Sequence, residues 1–174
     1  NVMNETLFRT VLKDIKVGTL VNLERALTLN KPLGGHMVTG HIDTIGTIKS
    51  ISDDGYSKII EISYDECFSK NLIHKGSIAL NGISLTISNL RKGSFEVSVI
   101  PHSQNNTNIR TFKVGEKINL EFDIVGKYIS RFLELNKEDN KESNINMDFL
   151  AKHNFVWLTT EEHREWKWQS ATKE

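Results

Sequence analysis

The chain has 174 residues, of which 38% are hydrophobic and 25% are charged, and its 22 basic and 22 acidic side chains balance to a formal net charge of zero. This composition predicts a core-forming globular chain of one domain or two small ones. The balanced charge gives no basic footprint for nucleic acid and nothing that would hold the chain on an anionic membrane surface. No apolar run approaches the roughly 18 residues that a membrane-spanning helix needs.

The chain has one cysteine, Cys67. A single cysteine forms neither an internal disulfide nor a cysteine-rich zinc site, and its usage favours a reducing, cytoplasmic location. We interpret Cys67 as a half-buried loop thiol rather than as a nucleophile.

The first elements in chain order belong to a repeat. Residues 1–26 are similar to residues 98–123 at a constant offset without a gap, and both segments contain the words KVG and NLE. We expect each copy to run from a strand end, through a polar loop and a glycine, into a strand. The second copy follows a long β-rich stretch, whereas little sequence precedes the first. The repeat therefore predicts the tail of one domain followed by the whole of a second.

The central part of the chain is typical of an all-β domain. Several short stretches, each bounded by turn residues, are rich in β-branched residues, and in them apolar residues alternate with polar ones. These stretches are residues 41–51, 58–64, 75–90, 95–100 and 116–124. The pair Asn81-Gly82 divides the third stretch into a hairpin. About six short strands at close spacing predict a small β-barrel rather than βαβ units.

A helical segment is predicted after the last strand. In residues 127–136 the apolar side chains recur at near-helical spacing, and residues 147–155 fit another short helix. We expect a partner subunit to cover the apolar face of the first helix. Residues 156–174 hold all three tryptophans and receive no assignment.

Two groups of polar residues are candidates for a site. His36 and His41 lie five residues apart before the first strand of this domain, with Asp43 close by, but a third ligand at metal spacing is missing, so we predict no metal site. A hydrogen-bonded histidine at the barrel mouth and a ligand contact both remain open. Ser84 and Thr86 are two residues apart and therefore share one face of a strand.

An inward-facing pair of hydroxyls suits a polyol or an amide-rich heterocycle, and a solvent-facing ladder is the alternative. The other face of this strand carries Ile83, Leu85 and Ile87. Lys75 is a surface lysine unless a pocket brings it to an anion or a carbonyl. The sequence contains neither a phosphate-binding loop nor a nucleophile elbow nor a zinc-protease helix motif.

Taken together, several segments resemble riboflavin synthase of the α-subunit type. They read LGGHMVTGHIDTIGTI, KGSIALNGISLTIS, VSVIPHSQNNTNI and KVGEKINLEFDIVGKYISRF, in that order. The resemblance covers roughly residues 1–155 and implies an internally duplicated, six-stranded, Greek-key-like β-barrel with a C-terminal helix. It implies that residues 1–32 are the remnant of a first lumazine-binding barrel, that residues 33–125 form the second, and that residues 126–155 form the C-terminal helical segment.

The resemblance also implies an activity. Two molecules of 6,7-dimethyl-8-ribityllumazine react by transfer of a four-carbon unit and give riboflavin and 5-amino-6-ribitylamino-uracil, without a metal or cofactor. The family's site lies between the first barrel of one subunit and the second barrel of its neighbour in a homotrimer, and a complex with lumazine synthase is a further expected association. A non-catalytic lumazine- or flavin-binding module is the alternative function.

Site residues follow from the same resemblance. The expected catalytic residues are His41, Ser84 and Asp123. The expected substrate-binding residues are Met3, Asn4, Glu5, Thr6, Gly40, His41, Ile42, Lys75, Ser84, Leu85, Thr86, Val99, Ile100, Pro101, His102, Ser103 and Gln104. The sequence departs from the family pattern in three places: the early strands of the first barrel do not appear, Asn81 stands where the second barrel often has Asp, and Ser103 stands where Thr is usual.

Overall fold

Six antiparallel strands close into a barrel. The computed structural model describes residues 2–28, 30 and 32–141, with side chains as far as residue 136. The strands are β1 (Thr44–Asp54), β2 (Ser57–Ser63), β3 (Ser77–Leu80), β4 (Ile83–Arg91), β5 (Ser94–Val99) and β6 (Lys117–Phe122). Around the barrel their order is β1-β2-β5-β4-β3-β6, with every neighbouring pair antiparallel. The predicted all-β, six-stranded, Greek-key-like barrel is confirmed.

The barrel interior is filled with apolar side chains. Alternate residues of each strand point inward, so β6 contributes Ile118, Leu120 and Phe122, all at most 1% exposed. Every strand adds to the same core, which also takes in Tyr64, Leu72, Ile109 and Phe112 from the connections. Because the interior is occupied, a ligand has to bind on the outside of the barrel.

Turn chemistry closes the hairpins as the sequence indicates. Asn81 and Gly82 join β3 to β4 with positive φ angles of 46° and 83°, as a type I′ turn requires at both central positions. The Asn81 side-chain oxygen also accepts a hydrogen bond from Asn119 N, and the backbone N–H of Asn81 donates to Asn119 O. This turn is thereby fixed against β6.

The polar loops of both repeat copies form helical turns that the sequence analysis did not predict. In the first copy α1 (Asn4–Arg9) precedes a 3-10 turn (Val11–Asp14), and in the second α2 (Pro101–Asn106) precedes another (Asn108–Thr111). A threonine starts each 3-10 turn: Thr10 accepts from Leu12 N, and Thr107 accepts from Ile109 N. The two copies thus have the same local structure at the same offset.

The expected strand in the first copy is wrong. Residues 20–25 contain no strand, whereas the matching residues of the second copy form β6. A closed barrel has no unpaired edge, so these residues have no strand beside which to pair. The Asn22 side chain holds them instead: its Oδ1 accepts from Asn108 N at 2.8 Å, and its Nδ2 donates to Asn81 O at 3.0 Å.

The predicted C-terminal helix is present. Helix α3 spans Ile124–Lys141 and exposes Val125, Tyr128 and Ile129 on its first turns. Within the part of the chain that the structure describes, no helix is long and apolar enough to cross a bilayer. The predicted helix at 147–155 and the tryptophan-containing segment 156–174 lie outside the described residues.

Cys67 is exposed, not half-buried. It lies in the 3-10 turn Glu66–Asn71, which Asp65 caps by accepting from Cys67 N at 3.0 Å. The Asp65 carboxylate raises the pKa of the Cys67 thiol, and the hydrogen bond from Cys67 N lowers the pKa of Asp65. The thiolate, which is the reactive form, is therefore scarcer near neutral pH than at an ordinary exposed cysteine.

We expect Asp65→Asn to raise the rate at which iodoacetamide alkylates Cys67 severalfold near neutral pH. Removing the carboxylate lowers the pKa of the thiol and so raises the fraction present as thiolate. The rate measured as a function of pH should show its midpoint at lower pH in the variant. Asp53→Asn, at an exposed position on β1, is the control and should leave the profile unchanged. Identical profiles for Asp65→Asn and the unaltered chain would show that Asp65 does not govern this thiol.

Candidate functional site

Residues 33–40, here called the strap, cross the outside of three strands before the chain enters β1. The strands beneath it form a cross-strand row, because Ser84 on β4 pairs with Ala79 on β3, and Ala79 pairs with Glu121 on β6. Ala79 and Glu121 are at most 2% exposed although they point away from the core. The strap therefore supplies an outer covering to this row.

One end of the strap is fixed to Ser84. His36 N donates to Ser84 Oγ at 3.2 Å, and His36 Nδ1 lies 2.8 Å from the same oxygen. At Gly35 a Cβ atom would meet Ser84 Oγ at 2.4 Å, so the backbone approach needs glycine there. His36 Nε2 is buried without a hydrogen-bond partner among the described residues. The Ser84 hydroxyl is thus held by the strap and has one imidazole nitrogen close to it.

The other end of the strap is fixed to Glu121. Its carboxylate accepts from Thr39 N at 2.6 Å, from Thr39 Oγ1 at 2.7 Å and from Gly40 N at 2.9 Å. Three donors satisfy the buried charge, which would otherwise be costly in this position. Gly40 has a φ of +81°, and the chain turns there towards β1.

A second carboxylate holds the chain just after the turn. Asp43 accepts from Phe122 N at 2.8 Å and pairs with Lys127 Nζ on α3 at 3.0 and 3.1 Å. Asp43 N donates to Leu120 O at 2.9 Å. The exposed His41 therefore lies in a short span whose two ends are both bonded to β6.

A cavity of about 1000 Å³ opens beside the strap. Its walls are the strap, residues 20–27, the Asn81–Ser84 turn and the segment around Asn105–Asn108. Gly40 and Ser84 are the predicted site residues that line it. The volume lies at the upper end of the range for small-molecule pockets.

The hydroxyl pair lies on the outer face of β4. Ser84 and Thr86 share that face, as their spacing predicted, while Ile87 is fully buried on the other. Of the two orientations left open by the sequence, the outward one is present, because the core side chains fill the six-stranded barrel and leave no room for inward hydroxyls. Lys75 lies beside the middle of β4, next to Thr86, where its backbone N–H donates to Ile87 O at 2.9 Å.

Two predicted substrate-binding residues point the other way. Leu85 packs against the core, and Val99 is fully buried in it. The Val99 side chain is therefore closed to a ligand, whereas Leu85 is only partly buried. The Val99 carbonyl already accepts from Gln104 Nε2 at 2.6 Å, so the Gln104 amide is occupied as well.

The remaining predicted residues are spread over three elements. Ile100 precedes α2 and is half exposed, and Pro101, His102 and Ser103 form the first turn of α2. Met3 caps α1, while Asn4, Glu5 and Thr6 lie in its first turn, where Glu5 pairs with Arg9. Ile42 is partly buried between His41 and Asp43.

Asp123 directly follows β6 and immediately precedes α3. Its Oδ1 accepts from Val125 N at 3.0 Å, so the carboxylate caps the helix. The preceding Phe122 pairs with Ile78, which pairs with Leu85. Asp123 therefore lies near the Thr86 end of the outer face rather than beneath the strap.

Sequence reasoning missed Glu121 and the contact between His36 and Ser84. Alternation along β6 predicts that Glu121 faces solvent, and the covering strap is distant in sequence. The available signal was the repeat of the tripeptide Asn-Leu-Glu, which places an acidic residue at the matching position of both copies, Glu24 and Glu121. No group of three or more His, Cys, Asp or Glu side chains suited to a metal ion occurs in the described part of the chain.

Comparison with known proteins identifies relatives of this arrangement. The family described as the lumazine binding domain matches residues 39–123. The riboflavin synthase of Actinobacillus pleuropneumoniae is 44% identical over 155 residues, which are 89% of this chain and 72% of that protein. The riboflavin synthase of Bacillus subtilis (strain 168) is 37% identical over the same shares of both chains.

Solved structures with the same fold include two of a protein named LumP. The structure of LumP complexed with 6,7-dimethyl-8-(1'-D-ribityl) lumazine superposes with a TM-score of 0.60 at 24% identity and covers 68% of this chain and 64% of that one. The structure of LumP complexed with riboflavin gives a TM-score of 0.64 at 22% identity and covers 69% and 65%. At this identity the likeness concerns the fold.

Proposed function

The chain belongs to the riboflavin synthase family, and from this premise we propose that the outer face of β4, together with the strap, binds 6,7-dimethyl-8-ribityllumazine for conversion to riboflavin. Relatives of that name are 37 to 44% identical over 89% of the chain, which supports the enzyme class. The proposal concerns which residues of this chain meet the ligand and what each one does.

The position of Ser84 carries the proposal. Its hydroxyl lies on the outer wall of the barrel, lines the 1000 Å³ cavity and is held by the strap through His36. A lumazine offers ring carbonyls and a ribityl polyol, which hydroxyls and backbone N–H groups recognise well. Thr86 extends the same polar face, and Lys75 lies near its end.

The proposed reaction needs proton transfer and close positioning. One lumazine loses a proton from its acidified ring methyl, a nucleophile adds to the second ring, and a four-carbon unit passes between them. Donor and acceptor are the same compound, so we propose no cofactor. His41 is the proposed proton acceptor, and Ser84 orients the ring. Asp123 is the third proposed catalytic residue and lies near Thr86.

The proposal extends to assembly and location. The equivalent helical turns of the two repeat copies support the idea that residues 1–32 derive from a first barrel. The exposed apolar side chains at the start of α3 support packing against other copies in a homotrimer. A cytoplasmic location and association with lumazine synthase complete the proposal.

The test is a fluorescence titration of the chain with 6,7-dimethyl-8-ribityllumazine and with riboflavin, followed by a riboflavin-formation assay and sedimentation equilibrium on the same sample. We expect saturable binding of both compounds and formation of riboflavin. Binding without turnover would favour the non-catalytic binding module for this chain. Absence of binding would contradict the assignment of the ligand to this face.

A further inference from the structure

The span that carries His41 is held at both ends by β6. Before His41, Gly40 N donates a hydrogen bond to Glu121 Oε2, and after it, Asp43 N donates one to Leu120 O, both at 2.9 Å. Glu121 and Leu120 are adjacent residues of one strand. His41 and Ile42 thus bridge two neighbouring anchor points, and His41 itself is exposed.

The Glu121 anchor depends on the carboxylate. It accepts from three donors of Thr39 and Gly40, and the residue is 2% exposed. A carboxylate offers acceptors on both oxygens, whereas an amide presents N–H groups on one side. Glu121→Gln would therefore turn a donor towards at least one N–H of the turn. The positive φ of Gly40 makes the direction in which the chain leaves the strap depend on this turn.

From this geometry we infer that Glu121 is a positioning residue of the site: its buried carboxylate fixes the Thr39–Gly40 turn and thereby sets the direction in which the backbone presents the next residue, His41. The inference rests on the proposed function, in which His41 meets the ligand. Glu121 itself touches no ligand, because the strap covers it.

The test compares Glu121→Gln with Glu96→Gln. Glu96 is a half-buried carboxylate on β5 that accepts from Arg91 and Asn89, so its variant removes a comparable charge away from the strap. The first readout is the His41 ring resonance in a proton–carbon NMR spectrum, assigned by its loss in His41→Gln. The second readout is affinity for 6,7-dimethyl-8-ribityllumazine, and thermal unfolding confirms that each variant is folded.

We expect Glu121→Gln to shift or broaden the His41 resonance and to weaken binding roughly tenfold, as the loss of a charge-assisted hydrogen bond suggests. Glu96→Gln should change neither. A folded Glu121→Gln protein with an unchanged His41 resonance would overturn the inference.

Thr39 gives a second route if Glu121→Gln fails to fold. Thr39→Val removes one donor at an exposed position and should move both readouts in the same direction by a smaller amount, while Thr39→Ser keeps the hydroxyl and should restore them. The same His41 resonance and the same affinity for Thr39→Val and Thr39→Ser would overturn the inference. If His41→Gln binds the ligand with unaltered affinity and forms riboflavin at an unaltered rate, the proposed role of His41 fails, and the NMR readout alone then decides whether Glu121 positions it.

Discussion

Replacing Ser84 with alanine is expected to weaken binding of 6,7-dimethyl-8-ribityllumazine by roughly 10- to 100-fold, the range for losing one or two hydrogen bonds in a partly buried site. The substitution removes the hydroxyl that faces the cavity, and it also releases His36, whose N–H and Nδ1 both lie at hydrogen-bond distance from Ser84 Oγ. Stability should fall by only about 1 kcal/mol. Fluorescence titration and urea unfolding on the same preparations measure the two effects separately.

Ser98→Ala is the matched control for this prediction. Ser98 lies on the outer face of β5, and its hydroxyl bonds to Ser57 Oγ at 2.9 Å, so the variant also loses one hydroxyl hydrogen bond. Its ligand affinity should equal that of the unaltered chain. Equal affinities for Ser84→Ala and Ser98→Ala would place the ligand elsewhere on the protein.

Replacing Phe122 with alanine is expected to lower the free energy of unfolding by about 3 to 5 kcal/mol, as for other large-to-small changes in a packed core. Phe122 is 1% exposed and stacks on Phe68 with ring centroids 5.2 Å apart. The barrel cannot collapse around the missing ring, because the strands on either side are fixed by their hydrogen-bonded registers. Urea unfolding monitored by circular dichroism measures the loss.

Phe8→Ala gives the comparison, since Phe8 on α1 is 79% exposed and its loss should change stability by less than about 0.5 kcal/mol. A loss below about 1 kcal/mol for Phe122→Ala would mean that the ring contributes little to the core.

The strands were predictable because apolar and polar residues alternate within each of them. In β6, Ile118, Leu120 and Phe122 alternate with Lys117, Asn119 and Glu121, and the apolar set fills the core as the pattern indicates. The six-residue helices α1 and α2 were missed because they are too short to show helical periodicity. Thr10 and Thr107, which begin the turns that follow, act through single backbone hydrogen bonds.

Tertiary context decided what local sequence did not. Residues 20–25 resemble β6 in sequence, but strand formation needs a partner, and the barrel offers no open edge. That Ser84 and Thr86 share one face of β4 could be predicted from their spacing of two residues. Their outward direction depends on the width of the barrel, which the local sequence does not show. Glu121 escaped notice because its covering strap is about eighty residues away in sequence.

The filled barrel has a consequence for how this protein tolerates change. The residues proposed to recognise the ligand alternate along one strand with residues that pack the core: Ser84 and Thr86 face outward, while Ile87 belongs to the core and Leu85 packs against it. Substitutions on the outer face leave the core side chains in place, so we expect them to cost less stability than substitutions of the core residues beside them. β4 is thus a strand on which ligand preference can be altered by selection or by design while the scaffold keeps its stability.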